Sequence, residues 1–544
     1  MLFFHQKLKT REKAQALIAS YMAISTFIII SGIFLANGVN QRNEALRNQL
    51  ANEVFYLAEG ATENAIFSFI TAIGDYQISP NIGSYSMSTV FDTFGSVSVD
   101  TTITSLESSD RLLLEGETNI LVRNYEAVST VAHPQNNTIA ITLHQIFSRR
   151  LIPTFQHAVF YDADLEMLPG PDMTLTGRIH SNQDIYLDSH NTLTIDSEYL
   201  HSAGNIYNQR KDDASELGGD VSILVYGSAP PTYADMDNLD CDITTWVADA
   251  ILRWQWTVQS CAHGVTTLAV PSVASIQPGG YYASNADLYI INGTLIKEGV
   301  VLTEGTDYPF GAVDTSTTFY NNREGQDIRM TEIDLGKLAN IYGEVDAGGN
   351  LFPNNLPANG LLYATRDDAG ASYQPGIRLS NASRIERDGG LTVVSCDPVY
   401  VRGDYNIINE KPASIIGDSL NLLSNNWDDD RDHFGVTSRP AAETTINSAF
   451  IAGIDETAPG NYNGGLENYP RLHENWSNIY LNIKGSFVAL WESSIATGGW
   501  IYGDPQYTAP RRNWSYNTDF NDAVNLPPFT PWAVEAKRIA WWKE

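Results

Sequence analysis

The stretch AQALIASYMAISTFIIISGIFLANGVNQRNEALRNQLANEVFYLAEGATENA, residues 14–65, decides how this chain folds. From Ala14 to Gln41 it carries no charged residue. Its apolar part, residues 16–36, meets the ~20 residues that a helix needs to cross the hydrocarbon of a bilayer. Lys7, Lys9, Arg11 and Lys13 precede it, against the single acid Glu12. Basic residues on that flank predict a cytoplasmic N-terminus and an exterior chain beyond Asn37. A cleaved secretory signal is the competing reading, but the apolar run is long for a signal core and no small-x-small site precedes a domain start.

The helical pattern continues past the apolar run without proline. Leu46, Leu50, Val54, Leu57, Ala61 and Ala65 form one stripe at helical spacing, while Arg42, Glu44, Arg47, Glu53, Glu59 and Glu63 occupy the other faces. An apolar helix running straight into an amphipathic one predicts a single rod of about 60 residues, ~90 Å long. A simple one-pass anchor has no need of such a rod. A rod that packs on copies of itself, or on a β-domain, does.

The residues from Lys13 to Ile18, through the apolar segment, to Phe55-Tyr56-Leu57-Ala58-Glu59-Gly60-Ala61 resemble the N-terminus of type IV pilin-like proteins of the PilX minor-pilin kind. In that family a short basic leader ends at a small residue, and an apolar helix leads into an aromatic-x-x-Ala-Glu-x-Ala stretch. The resemblance implies processing by prepilin peptidase between Ala14 and Gln15. The leader departs from the major-pilin pattern, with Ala14 in place of Gly and Ala19 where a Glu would stand. The implied partners are the membrane, other pilin or pseudopilin subunits and the peptidase. The implied location is the bacterial inner membrane, with the bulk of the chain periplasmic or extracellular.

Beyond the rod the period changes from helical to alternating. Val97, Val99, Thr101 and Ile103 alternate, as do Ile139, Ile141 and Leu143, with turn residues at 108–110 and 133–137. This predicts a pilin-like antiparallel head over 81–150. From residue 151 short strands recur at irregular spacing, for example 173–179, 184–187, 192–195, 205–207 and 221–225. Such strands suit a solenoid or an elongated sandwich, where each is buried by stacking on the next. A helix is predicted over 244–256, with Trp246, Ala250 and Trp254 on one face, and Asn292-Gly293 marks a hairpin. The fold class is therefore α+β, mainly β. Its parts are a basic leader (1–13), a transmembrane helix (14–37), a helical stalk (38–76), the head (81–150), a solenoid-like region (151–427) and an aromatic C-terminal segment (428–544) packing on that region.

Several pieces of 151–544 resemble bacterial cell-envelope proteins of unassigned function that carry a pilin-like N-terminus. They are Gly177-Arg178-Ile179-His180-Ser181-Asn182, Pro398 to Asn406, Gly464 to Arg471 with Glu474-Asn475-Trp476, Lys484 to Val488, and Arg512 to Tyr516 with Leu526-Pro527-Pro528. This resemblance implies placement with pilus-assembly proteins and no chemistry.

Composition narrows the function. There are 33 Lys+Arg against 64 Asp+Glu, a net charge of −31, which argues against a nucleic-acid partner. Charged residues are 18% of the chain and apolar ones 43%, and with 41 Gly and 27 Tyr this fits a turn-rich exported β-protein with a substantial core. Cys241, Cys261 and Cys396 contain no Cys-x-x-Cys pair. Cys241 and Cys261 flank the predicted helix and are read either as a disulfide or as free thiols.

No motif for catalysis stands out: there is no Gly-x-Ser-x-Gly elbow, no Walker loop and no Gly-x-Gly. His473-Glu474 is followed by Ser477, not the second His of a zinc protease. His180, Ser181 and Asp184 could be assembled into a nucleophilic trio, but a hydrogen-bonded turn is the plainer reading. Asp428, Asp429, Asp430 and Asp432 could hold calcium or form a solvated loop. Glu467 and Glu474 with Arg471 could do acid–base work, with ion pairing around the Gly464-Gly465 turn as the plainer role. Trp491, Trp500, Trp514, Trp532, Trp541 and Trp542 could stack on sugars or form a protein-binding patch, with core and terminal packing favoured instead. Pro527, Pro528 and Pro531 predict an extended strap. No catalytic, cofactor or metal residue is assigned. The expected function is a non-catalytic, membrane-anchored minor pilin or pseudopilin-like subunit in assembly, adhesion or secretion. The alternative is a stalk-displayed protein that binds or degrades envelope polysaccharide.

Overall fold

The computed structural model describes residues 2–93, 96–116 and 118–544, with side chains from residue 12 onward. Lys7, Lys9 and Arg11 of the basic leader thus lie outside the described side chains. The chain is α+β and mainly β.

One uninterrupted helix runs from Leu2 to Gly74, 73 residues or about 110 Å. Toward its N-terminal side every described side chain from Glu12 to Gln49 is exposed. Packing begins lower on the stripe than the spacing predicts. Leu46 remains 53% exposed, whereas Val54, Leu57, Ala58, Ala61, Ala65, Ile66, Phe69 and Ile73 are buried. Sequence periodicity shows which residues share a face, but not where along the helix the partner surface starts.

That partner is an antiparallel sheet. Its strands follow the order Ser84–Phe91, Val97–Ser105, Thr118–His133, Asn136–Pro153 and Trp532–Lys543, with Arg111–Glu115 paired on the edge of Thr118–His133. The alternation read from Val97, Val99, Thr101 and Ile103 holds, since all four are buried. The last strand comes from the far end of the chain. Segment 428–544 therefore does not pack wholly on the β-rich region. Its Arg511–Tyr516 strand pairs with Tyr480–Ala489 there, and its final strand crosses to the head. The cause is visible in the residues: Ala533 and Val534 are buried, Glu535 pairs with Arg150, and Arg538 Nε donates to Glu63 Oε1 at 2.9 Å. The stretch 526–531 before it contains no strand and is not extended throughout: the Thr530 amide donates to the Pro527 carbonyl at 3.2 Å across a turn with Phe529 at φ +57°.

The β-rich region is built from short strands paired in parallel. One row of buried apolar residues runs through its longest sheet in register: Val258, Leu200, Ile179, Val159, Phe487, Phe450, Ile415, Val393, Leu362 and Leu288. Like residues stacked at ~4.8 Å bury one another, so very short strands suffice. The order along the row is not the order along the chain. Strands are added outward from Val159–Tyr161 to Val258–Gln259. The chain then returns over the outside to Leu288–Ile291 at the opposite end and stacks back until Tyr480–Ala489 meets Val159–Tyr161. The predicted hairpin is present, with Asn292 and Gly293 both at positive φ between Leu288–Ile291 and Thr294–Lys297.

The returning segment ties the two regions together. Ala269 exchanges backbone bonds with Val534 at 2.9 and 2.7 Å, and Asp75 Oδ1 accepts from the Ser272 amide and hydroxyl at 2.9 and 2.6 Å. The Tyr76 ring stacks on Tyr281 with centroids 3.8 Å apart. Gly74 ends the helix where no side chain fits, because a Cβ would lie 2.9 Å from the Ala269 carbonyl oxygen.

Candidate functional site

Two features qualify: the bare length of the helix and a polar cleft in the β-rich region. Among the described residues, one helix is long and apolar enough to cross a membrane. On it Tyr21, Met22, Phe27, Ile28, Phe34 and Leu35 all stand exposed, and Ala14 and Gln15 lie exposed at its N-terminal side. Apolar residues arranged around the whole helix are unstable in water and suit either lipid or neighbouring helices. Ser20, Ser25 and Thr26 return their hydroxyls to backbone carbonyls of the same helix, so their polarity does not oppose an apolar surrounding.

The cleft lies where the strand Leu165–Met167 faces the loop 453–469. Glu166 accepts the Lys211 amide at 3.1 Å and the Thr457 hydroxyl at 2.9 Å, and burial raises its pKa. Glu467 accepts the Leu168 amide at 3.1 Å through Oε1, its Oε2 has no hydrogen-bond partner among the described residues, and burial pushes its pKa up to about 7. Lys211 bridges Asp164 at 2.8 Å and Glu456 at 2.5 Å. Arg471 does not join Glu467 and Glu474. It pairs with Glu324 at 2.7 Å, both side chains almost fully buried. Burial foremost, with the charge of Arg471 next, brings the neighbouring Arg323 down to about 9. The space inside it is about 20 Å³, room for a water molecule.

The expected ion pairing among Glu467, Arg471 and Glu474 is thus corrected. Glu474 faces a different cavity of about 150 Å³, beside Trp427 and Arg439. It accepts the Ser424 amide and hydroxyl, each at 2.6 Å, and burial pushes it up to about 7. The two carboxylates serve separate backbone positions.

His180, Ser181 and Asp184 are not a nucleophilic trio. His180 Nε2 lies 3.1 Å from Asn182 Oδ1, Ser181 Oγ donates to the Ala163 carbonyl at 2.8 Å, and Asp184 accepts the Asn205 amide at 2.7 Å. Burial lowers His180 to about 4, so it is neutral. The acidic run is also dispersed. Asp429 binds Arg378 at 2.7 Å, Asp432 accepts the Tyr320 amide, and Asp428 caps Asp430 at 3.1 Å. Among the described residues no group of His, Cys, Asp and Glu is placed to hold a metal ion.

The tryptophans separate by region. Trp514 is buried against Phe487, and Trp500 Nε1 donates to the Tyr507 hydroxyl at 2.9 Å. Trp541 and Trp542 belong to the head, where Trp541 sits 5.8 Å from Phe55 of the helix and Trp542 stacks on His144. The Arg471–Glu324 pair and the Glu166–Thr457 contact carry no local sequence signal, since the partners lie 147 and 291 residues apart.

No family model matches the chain, and no curated protein matches it. Among solved structures it is similar to the competence-associated pilin ComZ from Thermus thermophilus, with 7% identity, covering 91% of this chain and 98% of that one at a TM-score of 0.28.

Proposed function

We propose that this chain is a membrane-anchored, pilin-like subunit of a type IV pilus-type assembly, of the PilX-type minor-pilin or pseudopilin kind, and that it acts without catalysis. The helix Leu2–Gly74 carries this reading, because it is bare and apolar over 14–37 and packed on an antiparallel sheet from Val54 onward. Residues 14–37 cross the inner membrane, 38–76 form the stalk, 81–150 with 532–543 form the head, and the remainder is an exterior solenoid of stacked parallel strands. Ala14 and Gln15 mark where prepilin peptidase would act.

Polysaccharide display is the second reading, with surface polysaccharide as ligand, and the polar cleft at Glu166 favours it. Its size weighs against it: the cavity beside Glu166 and Lys211 has room for about one water molecule. Sequencing the N-terminus of the mature chain tests the processing, with a start at Gln15 expected and an intact leader counting against it. Protease added to spheroplasts tests the topology. Degradation beyond about residue 40 is expected, and protection of the bulk would contradict the proposal.

A further inference from the structure

Cys241 and Cys261 stand at the two feet of the segment that closes one end of the stacked strands. That end is formed by the strands Ile206–Tyr207, Tyr233–Asp235 and Val258–Gln259, each the last in its sheet. The helix Trp246–Trp254 lies across it with Trp246, Ala250 and Trp254 buried. Trp254 Nε1 donates to the Ala234 carbonyl at 2.9 Å and Trp246 Nε1 to Ser260 Oγ at 3.0 Å. A stack of repeated strands exposes apolar residues at its end unless such a cap covers them.

The cap leaves the stack at Cys241 and returns at Cys261, and both feet rest on the same few residues. The Cys241 amide donates to the Ile206 carbonyl at 3.0 Å and the Cys261 amide to the Gly204 carbonyl at 2.9 Å. Those two acceptors are two residues apart, a span of at most ~7 Å. The sulfurs converge as well: Cys241 Sγ accepts the Ile206 amide at 3.0 Å, and Cys261 Sγ lies 3.7 Å from Asn205 Oδ1 on the adjacent residue. A disulfide needs Cα atoms about 4.4–6.8 Å apart, and both feet stand over the same three residues, 204–206. Both residues are free thiols in the present structure, Cys261 exposed and Cys241 half-buried.

We propose that Cys241 and Cys261 are a modification site: a small-molecule disulfide oxidises them to an intramolecular disulfide that locks the cap onto the end of the stack. The exposed Cys261 thiolate attacks one sulfur of the oxidant, breaking its S–S bond and releasing one thiolate. The Cys241 thiolate then attacks Cys261 Sγ, breaking the mixed disulfide and releasing the second. Two protein thiols become one disulfide, one oxidant disulfide becomes two thiols, and the two protons end on the leaving thiols. Burial holds the Cys241 thiol up at about 11, which makes Cys261 the first to react. Cys396, buried and 3.1 Å from Thr365 Oγ1, stays outside the exchange. The exterior placement proposed above would supply an oxidising surrounding, but the chemistry is tested on purified protein and stands or falls apart from it.

The experiment treats the full chain in detergent with oxidised glutathione, quenches, denatures, alkylates and maps the peptides. Expected is a linked peptide pair joining Cys241 to Cys261, a mass loss equal to two hydrogen atoms, an alkylated Cys396 and full reversal by dithiothreitol. Cleavage within 242–260 by added protease should slow at least about tenfold in the oxidised form, because opening the cap must now break or strain a covalent tie. In Cys241→Ser, glutathione should remain attached to Cys261. A wild-type chain in which Cys261 carries glutathione while Cys241 alkylates would overturn the proposal, as would linkage with no change in cleavage of the cap. The wild-type peptide map decides the linkage even if the variant does not fold.

Discussion

Phe69→Ala tests the packing of the helix on the head more sharply than any charge substitution. The ring is fully buried, with centroids 5.0 Å from Tyr125, 5.5 Å from Tyr85 and 5.9 Å from Phe147. Truncating such a residue costs about 3–5 kcal/mol in lost transfer energy and cavity. Phe69 belongs to a cluster with Ile66, Ile73, Ile103, Phe147 and Val534 that is separate from the core of the stacked strands. The loss therefore falls on opening of the head. At about 1.4 kcal/mol per decade, amide exchange there should accelerate by roughly two to three and a half orders of magnitude. Hydrogen exchange with peptide-level mass detection reads this directly. Amides in Val97–Ser105 and Thr118–His133 should speed up, while those in Ala413–Gly417 should not. Ile66→Val, at about 0.5–1.5 kcal/mol, should change the head by about tenfold or less. Head acceleration below about tenfold for Phe69→Ala, or equal acceleration in Ala413–Gly417, would refute the reasoning.

Three further outcomes follow from the β-rich region. Gly465→Ala should lower stability by more than about 1 kcal/mol in urea titration, because φ is +65° there and a Cβ would meet the Glu166 carbonyl oxygen and Glu467 Oε2, each at 2.9 Å. Arg471→Met should cost about 3–5 kcal/mol by leaving the Glu324 carboxylate buried without its cation, and adding Glu324→Gln should recover part of the loss. The third concerns pH. Burial moves Glu467 from its ordinary 4.5 up to about 7. The folded chain therefore keeps a proton that the unfolded chain releases. That contribution is whole below about pH 4.5 and is lost as pH rises through about 7. Buried histidines act oppositely as pH falls below their ordinary 6.5, His180 being held down at about 4, so total stability is a mixed readout. The difference between wild type and Glu467→Gln isolates the carboxyl. It should shift toward wild type by up to about 3 kcal/mol from pH 8 to pH 5, and a pH-independent difference would count against a buried, protonated Glu467.

The helix was legible because its signals are local. An uncharged run and a stripe at 4, 4, 3, 4 and 4 spacing need no knowledge of the rest of the chain. The alternation at Val97–Ser105 and the Asn292-Gly293 hairpin were legible for the same reason. The order of stacking was not. Val159 lies beside Phe487 in the row of buried residues, and nothing local to either marks the other. The final strand was hidden by its composition, since Ala533 to Arg538 favours a helix by propensity and becomes a strand by pairing with Asn136–Pro153. Proximity in sequence joins Glu467 to Arg471, whereas the partner of Arg471 is Glu324, 147 residues away. Charge pairs in a stacked-strand fold are set by which coils touch, and that is a property of the whole chain.

The central claim is that the bare apolar helix serves an assembly and is more than an anchor. A photoactivatable side chain placed at Phe27, Phe34 or Leu35, each more than 70% exposed, tests it most directly in the native membrane. The account predicts ultraviolet-dependent adducts with other membrane proteins that carry a similar apolar N-terminal helix. Adducts with lipid alone at all three positions would contradict it.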